Sequence, residues 1–162
     1  DNDNDGIPDS EDPDDDNDGT LDTHDKYPFI DAKVTIYLYE FTLKDEVDAG
    51  SKYGNIYFHI KVKGSDKRYP DSGNHKCEIN IPWSIGKSMT WDAPDDATQV
   101  TVEISAYDDD GVLGHHRIDI SSDGDTADLT FDLGTGSWSG DTSNGTTTGG
   151  DGELEFSIET NV

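Results

Sequence analysis

The chain is short of cysteine, of positive charge and of long apolar runs, and each shortage closes off a class of function. A single Cys77 among 162 residues leaves no partner for an internal disulfide and no cysteine set for a zinc cluster. Only 11 Lys and Arg stand against 37 Asp and Glu, giving a formal net charge of −26. A surface of that sign repels phosphate backbones and anionic lipid, so no nucleic-acid partner is expected. No apolar stretch nears the roughly 20 residues of a membrane-spanning helix, and no signal-peptide pattern reads from the sequence. Hydrophobic residues make up only 30%, yet with 3 Trp, 7 Tyr and 5 Phe they suffice for one compact core and not for two large ones.

What the chain has in excess is Asp, and it is concentrated. Residues 1–25 hold eleven Asp, one Glu and no Lys or Arg, so nearly half the net charge lies in less than a sixth of the length. A run of like charge is ordinarily a solvated, disordered tail, but this one is periodic. Asp1, Asp3, Asp5, Gly6, Asp9 and Asp12 recur 13 residues later as Asp14, Asp16, Asp18, Gly19, Asp22 and Asp25. Carboxylates at positions 1, 3, 5, 9 and 12 with Gly at 6 make the spacing of a calcium loop. Calcium takes six to eight hard oxygens, and alternate residues of a tight turn can aim theirs inward. The glycine lets the backbone reverse, and the position-7 carbonyls of Ile7 and Thr20 supply neutral oxygens. The expectation is two calcium loops.

The flanks are not those of an EF-hand. Pro13 follows the first loop directly, residues 1–31 show no 3.6-residue apolar period, and Pro8 has no N–H for pairing between loops. The string DNDNDGIPDSEDPDDDNDGTLDTHDKYPFID resembles thrombospondin type 3 repeats. That resemblance implies a chain wound around a row of calcium ions with almost no hydrophobic core. The motif is already under way at Asp1, a pattern consistent with further repeats upstream.

From residue 33 the pattern changes to alternation. Ile56, Phe58, Ile60 and Val62 alternate with polar or aromatic neighbours, as do Cys77, Ile79 and Ile81, then Val100, Val102, Ile104 and Ala106. Leu129, Phe131 and Leu133, and Leu154, Phe156 and Ile158, complete the set. A period of two with one apolar face predicts antiparallel sheets sharing a core. With strands at 34–41, 88–91 and 115–120, the expected fold is all-β, an eight-stranded antiparallel β-sandwich over 32–162, preceded by an irregular calcium-bound arm over 1–31. Residues 134–151, rich in Gly, Ser and Thr, read as a flexible loop anchored only by Trp138.

The stretches VTIYLYEFTLKDEVDAGSKYGNIYFHIKV and VTVEISAYDDDGVLGHHRIDI resemble the first-loop and third-loop regions of C2 domains. The closing GELEFSIET resembles the last strand of the circularly permuted form. The resemblance implies Asp45 and Asp48 as first-loop calcium ligands and Asp108 and Asp110 as third-loop ligands. Two family carboxylates fall on Asn55 and Gly114, and their loss implies one bound calcium rather than several. A solvated hairpin turn at Asp108–Gly111 is the alternative. Val112, Leu113 and Trp138 are the residues that could enter a lipid surface, but their surroundings are acidic and poor in cations.

Catalysis is not expected. His115 and His116 are neighbours in a strand, so they point to opposite faces and cannot share one ion. Cys77 sits on an apolar strand face and reads as a core thiol. The sequence therefore suggests a calcium-loaded structural or adhesion module outside the cell, where millimolar calcium fills sites of Kd about 10⁻⁴–10⁻³ M. Its partners would be protein subunits, as in a calcium-stabilised layer or fibre, or surface polymers. Two alternatives are a calcium-dependent membrane-binding C2-type domain and an accessory binding domain of a secreted hydrolase.

Overall fold

The computed structural model describes residues 1–162, apart from the side chain of Leu113. Eleven strands form two antiparallel sheets packed face to face. In chain order they are β1 (Lys33–Leu43), β2 (Tyr53–Val62), β3 (Ser65–Tyr69), β4 (His75–Glu78), β5 (Trp83–Asp92) and β6 (Gln99–Asp109). After a single 3₁₀ turn (Gly111–Leu113) come β7 (His115–Ile118), β8 (Thr126–Asp132), β9 (Trp138–Gly140), β10 (Thr146–Thr148) and β11 (Gly152–Thr160). One sheet runs β10-β11-β1-β5. The other runs β3-β2-β6-β8-β9, with β4 also on β2 and β7 also on β6.

All eight expected strands have a counterpart, although the one expected over Cys77, Ile79 and Ile81 runs instead over His75–Glu78 and leaves Ile81 exposed. The strands β3, β9 and β10 are short additions at sheet edges. Two sheet positions are shared. β2 pairs β4 over 53–56 and β3 over 58–62, while β6 pairs β8 over 99–105 and β7 over 106–109. The opening half of β2 and the closing half of β6, which pair with each other through Ile56 and Asp108, therefore carry the loop before β2 and the loop after β6 to one end of the sandwich.

Inward-facing residues follow the alternation. Val34, Ile36 and Leu38 are buried on β1, and then the register shifts between Leu38 and Glu40, so that Phe41 and Leu43 point inward as well. Without this bulge every residue after Leu38 would change faces. Opposite it, Ile85 and Gly86 of β5 stand against the single Tyr39, and Gly86 supplies the φ of +62° that this second bulge uses. Phe41 of one sheet meets Phe58 of the other edge to face, with ring centroids 5.4 Å apart, near the centre of the core.

Residues 1–31 contain no strand or helix, and their apolar side chains Ile7, Leu21, Phe29 and Ile30 are exposed. The arm is nevertheless fastened to the sandwich. The Lys26 N–H donates to the Asp95 carbonyl at 2.8 Å, Thr20 Oγ1 donates to Asp95 Oδ2 at 2.6 Å, and Asn161 Nδ2 donates to the Asp31 carbonyl at 2.9 Å. Tyr27 packs against the core, whose first buried residue is Ala32. Segment 134–151 carries β9 and β10, and Trp138 holds it by packing 6.5 Å from Phe131 and 6.3 Å from Phe156, ring centre to ring centre.

Candidate metal centres

At the end of the sandwich where β6 stops, the loop after β1 brings Asp48 against Asp108 and Asp110. One carboxylate oxygen from each of the three lies within 4.8 Å of the other two. Asp108 is completely buried. Its Oδ1 accepts the Asn55 N–H at 2.5 Å, while Oδ2 is enclosed and has no hydrogen-bond partner. The Asp110 side chain is only 6% exposed, and its Oδ2 lies 2.6 Å from His116 Nδ1 without hydrogen-bond geometry.

Burial pushes the Asp108 carboxyl above the usual range, against the pull of the Asn55 N–H, and Asp110 adds to the rise. Asp48 is also raised, first by sharing a hydrogen bond with Asp110 and then by burial. Three carboxylates this close cannot all be ionised without a cation between them. An enclosed carboxylate oxygen with no donor calls for a positive partner. A hard oxygen set of this kind suits calcium.

The other residues expected here are placed differently. Asp45 is exposed, and its Oδ1 accepts the N–H of Glu46 at 2.7 Å. Asn55 orients Asp108 through its backbone, and its side-chain amide faces the Asp109 carbonyl at 3.4 Å. Asp109 turns away from the trio. It is held below the usual range by the Gly111 N–H and then by the Asn74 amide, with bonds of 2.9 and 3.0 Å. His115 and His116 diverge as strand neighbours should, His115 toward Asp109 at 3.5 Å and His116 toward Asp110. Val112 stands fully exposed at the tip of this loop, and the Leu113 side chain lies outside the described residues.

The arm holds two more trios, Asp1, Asp3, Asp5 and Asp14, Asp16, Asp18, each with one oxygen per residue inside the same 4.8 Å limit. The bonds from backbone N–H groups to the ligand carboxylates recur with the 13-residue repeat. Asp3 Oδ1 accepts the Asp5 N–H, as Asp16 Oδ1 accepts that of Asp18, at 3.0 and 3.2 Å. Asp5 and Asp18 accept the N–H groups of Ile7 and Thr20, both at 2.7 Å. Asp1 and Asp14 accept those of Gly6 and Gly19, at 3.4 and 3.1 Å. Asn4 and Asn17 have φ of +66° and +60°, and Gly6 and Gly19 have +99° and +100°.

These N–H bonds take one oxygen of each carboxylate, and the second oxygen of Asp3 accepts the Asn17 side-chain amide at 2.6 Å. In the second loop the free atoms Asp14 Oδ1 and Asp16 Oδ2 are enclosed and unpartnered, so the donor set fits a cation there too. Asp18 is pushed up to about 6, chiefly by burial, with Asp16 and Asp95 adding and the Thr20 N–H opposing. The position-9 and position-12 carboxylates stand outside the trios. Asp9 and Asp22 accept the N–H groups of Asn2 and Asp15 at 2.8 and 2.9 Å. Asp12 and Asp25 accept those of Asp14 and Tyr27 at 3.1 and 2.7 Å. Ile7 and Thr20, expected as carbonyl ligands, close their turns through these N–H bonds. Asp95, which joins Asp18 and Thr20 from the sandwich side, has no signal in the sequence, since it lies 70 residues from the motif in a polar turn.

No protein-family model matches the chain, and no curated protein matches it. Among solved structures, human GIVD cytosolic phospholipase A2 superposes with a TM-score of 0.51 at 13% identity, over 80% of this chain but only 16% of the phospholipase. A C2 domain of plant extended synaptotagmin 1 superposes with a TM-score of 0.47 at 14% identity, over 80% of this chain and 94% of that domain. The likeness is one of fold: the two packed sheets form a C2-like β-sandwich.

Proposed function

We propose that the chain is a calcium-binding, non-catalytic C2-type module that docks on an anionic membrane surface when calcium fills its loop end, with a thrombospondin type 3-like calcium arm as its rigid approach. The observation that carries this reading is Asp108, fully buried with an unpartnered Oδ2 and grouped with Asp48 and Asp110. Calcium bound there would supply positive charge at the loop end of a protein that otherwise repels anions. The chain's own residues do the rest. Asn55 fixes the direction of Asp108, the bends at Gly111 and Gly114 set the loop, and Val112 offers an apolar tip next to the ligands. Cys77 takes no part, since burial pushes its thiol up to about 12.

A second reading, an extracellular structural or adhesion module that joins protein subunits or surface polymers, is favoured by the net charge of −26 and by the arm itself. Vesicle sedimentation separates the two. The docking reading expects the protein to pellet with phosphatidylserine-containing vesicles in millimolar calcium, and expects Asp108→Asn and chelator each to abolish pelleting. Absence of pelleting in calcium would reject membrane docking and leave the adhesion reading in front.

A further inference from the structure

Of the eight asparagines in the chain, Asn144 alone has a hydroxyl residue two positions on, in the triplet Asn144-Gly145-Thr146. Asn-X-Thr, with X other than proline, is the pattern that accepts an oligosaccharide on the asparagine amide, and it is used on surface turns. Such triplets also arise by chance, so the place of this one in the fold decides whether it can be used. Asn144 is exposed, in the turn between β9 and β10. That turn crosses from the outermost strand of one sheet to the outermost strand of the other, so the triplet lies on the side of the sandwich. Along the strands it stands near the middle, because Gly145 bonds to Phe156, whose partner is Leu38 of β1.

Gly145 keeps Asn144 on the outside. Its φ is +80°, and a Cβ there would meet the Phe156 carbonyl oxygen at 2.6 Å, so only glycine lets the chain pass this close to β11. Its carbonyl accepts the Phe156 N–H at 2.8 Å and ties the turn down directly after Asn144. The Asn144 amide is also unclaimed. The side-chain nitrogens of Asn2, Asn17, Asn55, Asn74 and Asn161 all donate within the fold, and Asn4 and Asn80 serve as turn residues with φ of +66° and +59°. Asn144 is held by its other atom, since Oδ1 accepts the Thr142 hydroxyl at 2.7 Å and the Thr146 N–H at 3.1 Å. Among the described residues its Nδ2 has no acceptor.

We propose that Asn144 is a glycosylation site, taking an N-linked oligosaccharide when the chain is exported past a membrane-bound oligosaccharyltransferase. The donor is an oligosaccharide carried on a lipid pyrophosphate. Asn144 Nδ2 attacks the anomeric carbon, and the N–C bond forms as the bond from that carbon to the pyrophosphate oxygen breaks. One amide proton passes to a base of the transferase, the lipid pyrophosphate leaves, and the Thr146 hydroxyl is the group the transferase recognises. A sugar chain there covers the outer edges of β9 and β10, which have no partner strand and are otherwise open to pairing with another chain. It leaves the acidic trios at both ends of the molecule uncovered. The site rests on the extracellular reading, which vesicle pelleting tests separately.

The test is translation of the full chain behind a secretion signal, with microsomes that carry the transferase. Protease added outside the vesicles then leaves only translocated chain to be weighed. Wild type should gain the mass of one oligosaccharide, which peptide-N-glycosidase removes. Asn144→Gln and Thr146→Val should stay at the bare mass, and Thr146→Ser should keep the sugar at lower occupancy. Glycosylated chain from secreting cells should bind as many calcium ions as Asn144→Gln, counted by native mass spectrometry, because the turn stands apart from the trios. Protected wild-type chain at the bare mass would overturn the site, and so would an oligosaccharide that persists in Asn144→Gln. A lower ion count in the glycosylated chain would overturn its place on the free side of the sandwich.

Discussion

The Asn55 N–H meets Asp108 Oδ1 at 2.5 Å, so the backbone of β2 aims the one fully buried carboxylate of the sandwich at Asp48 and Asp110. Asparagine at 108 keeps an oxygen for that bond, whereas alanine leaves the Asn55 N–H unsatisfied. In chelator, Asp108→Ala should be less stable than Asp108→Asn by about 1–3 kcal/mol, measured by urea denaturation. In calcium both should lack the stabilisation that wild type gains. Equal chelator stabilities would remove Asn55 from the account of the site.

Thr20 and Asp95 make a side-chain bond at 2.6 Å between the arm and the sandwich. Thr20→Val preserves shape and removes the donor, at a cost of about 1 kcal/mol. Because the cost falls on docking of the arm, proteolysis within residues 1–25 in chelator should speed up while the melting of the sandwich stays put. A lowered sandwich melt with unchanged arm proteolysis would contradict this division.

The pH response should reverse sign with calcium. Asp18 is pushed up to about 6 from 3.8, mainly by burial, and Asp48 and Asp108 are raised as well, led by the Asp110 hydrogen bond and by burial respectively. Between the unfolded and folded values the folded chain holds more protons, so without calcium its stability falls as pH rises from about 4 through about 6. With calcium the same carboxylates must be ionised to bind, so ion affinity and calcium-dependent stability fall as pH drops below about 6. Thermal melts at pH 5 and pH 7, in chelator and in calcium, measure both slopes. Parallel slopes in the two conditions would mean that these carboxylates are not ligands.

Trp138 fastens the Gly-rich segment by packing on Phe131 and Phe156. It is partly exposed, so Trp138→Ala should cost less than the roughly 3–5 kcal/mol of a fully buried aromatic, about 2 kcal/mol by chemical denaturation. Hydrogen exchange should rise over 134–151 and stay unchanged at β1 and β2.

The sandwich is legible because period-two alternation is a direct consequence of one buried face, and five of the eight expected strands read directly from it. The edge strands β3, β9 and β10 were not, since Ser65–Tyr69 and Thr146–Thr148 carry no apolar alternation and are held by backbone pairing to strands already formed. The arm trios followed from spacing because ligands at alternate residues of a turn must converge. The tip trio was only partly visible. Asp48, Asp108 and Asp110 meet through a tertiary contact between two loops, and nothing local distinguishes Asp48 from Asp45. Asp95 carries no signal because it is distant in sequence from the arm it contacts.

The central claim is that these carboxylate clusters are calcium sites, and the most direct test is an anomalous difference map from crystals grown in millimolar calcium. The account predicts a peak about 2.3–2.6 Å from the carboxylates of each trio, Asp1–Asp3–Asp5, Asp14–Asp16–Asp18 and Asp48–Asp108–Asp110. A map with no anomalous peak at any trio, in crystals that diffract well enough to show sulfur at Cys77 and Met89, would contradict it.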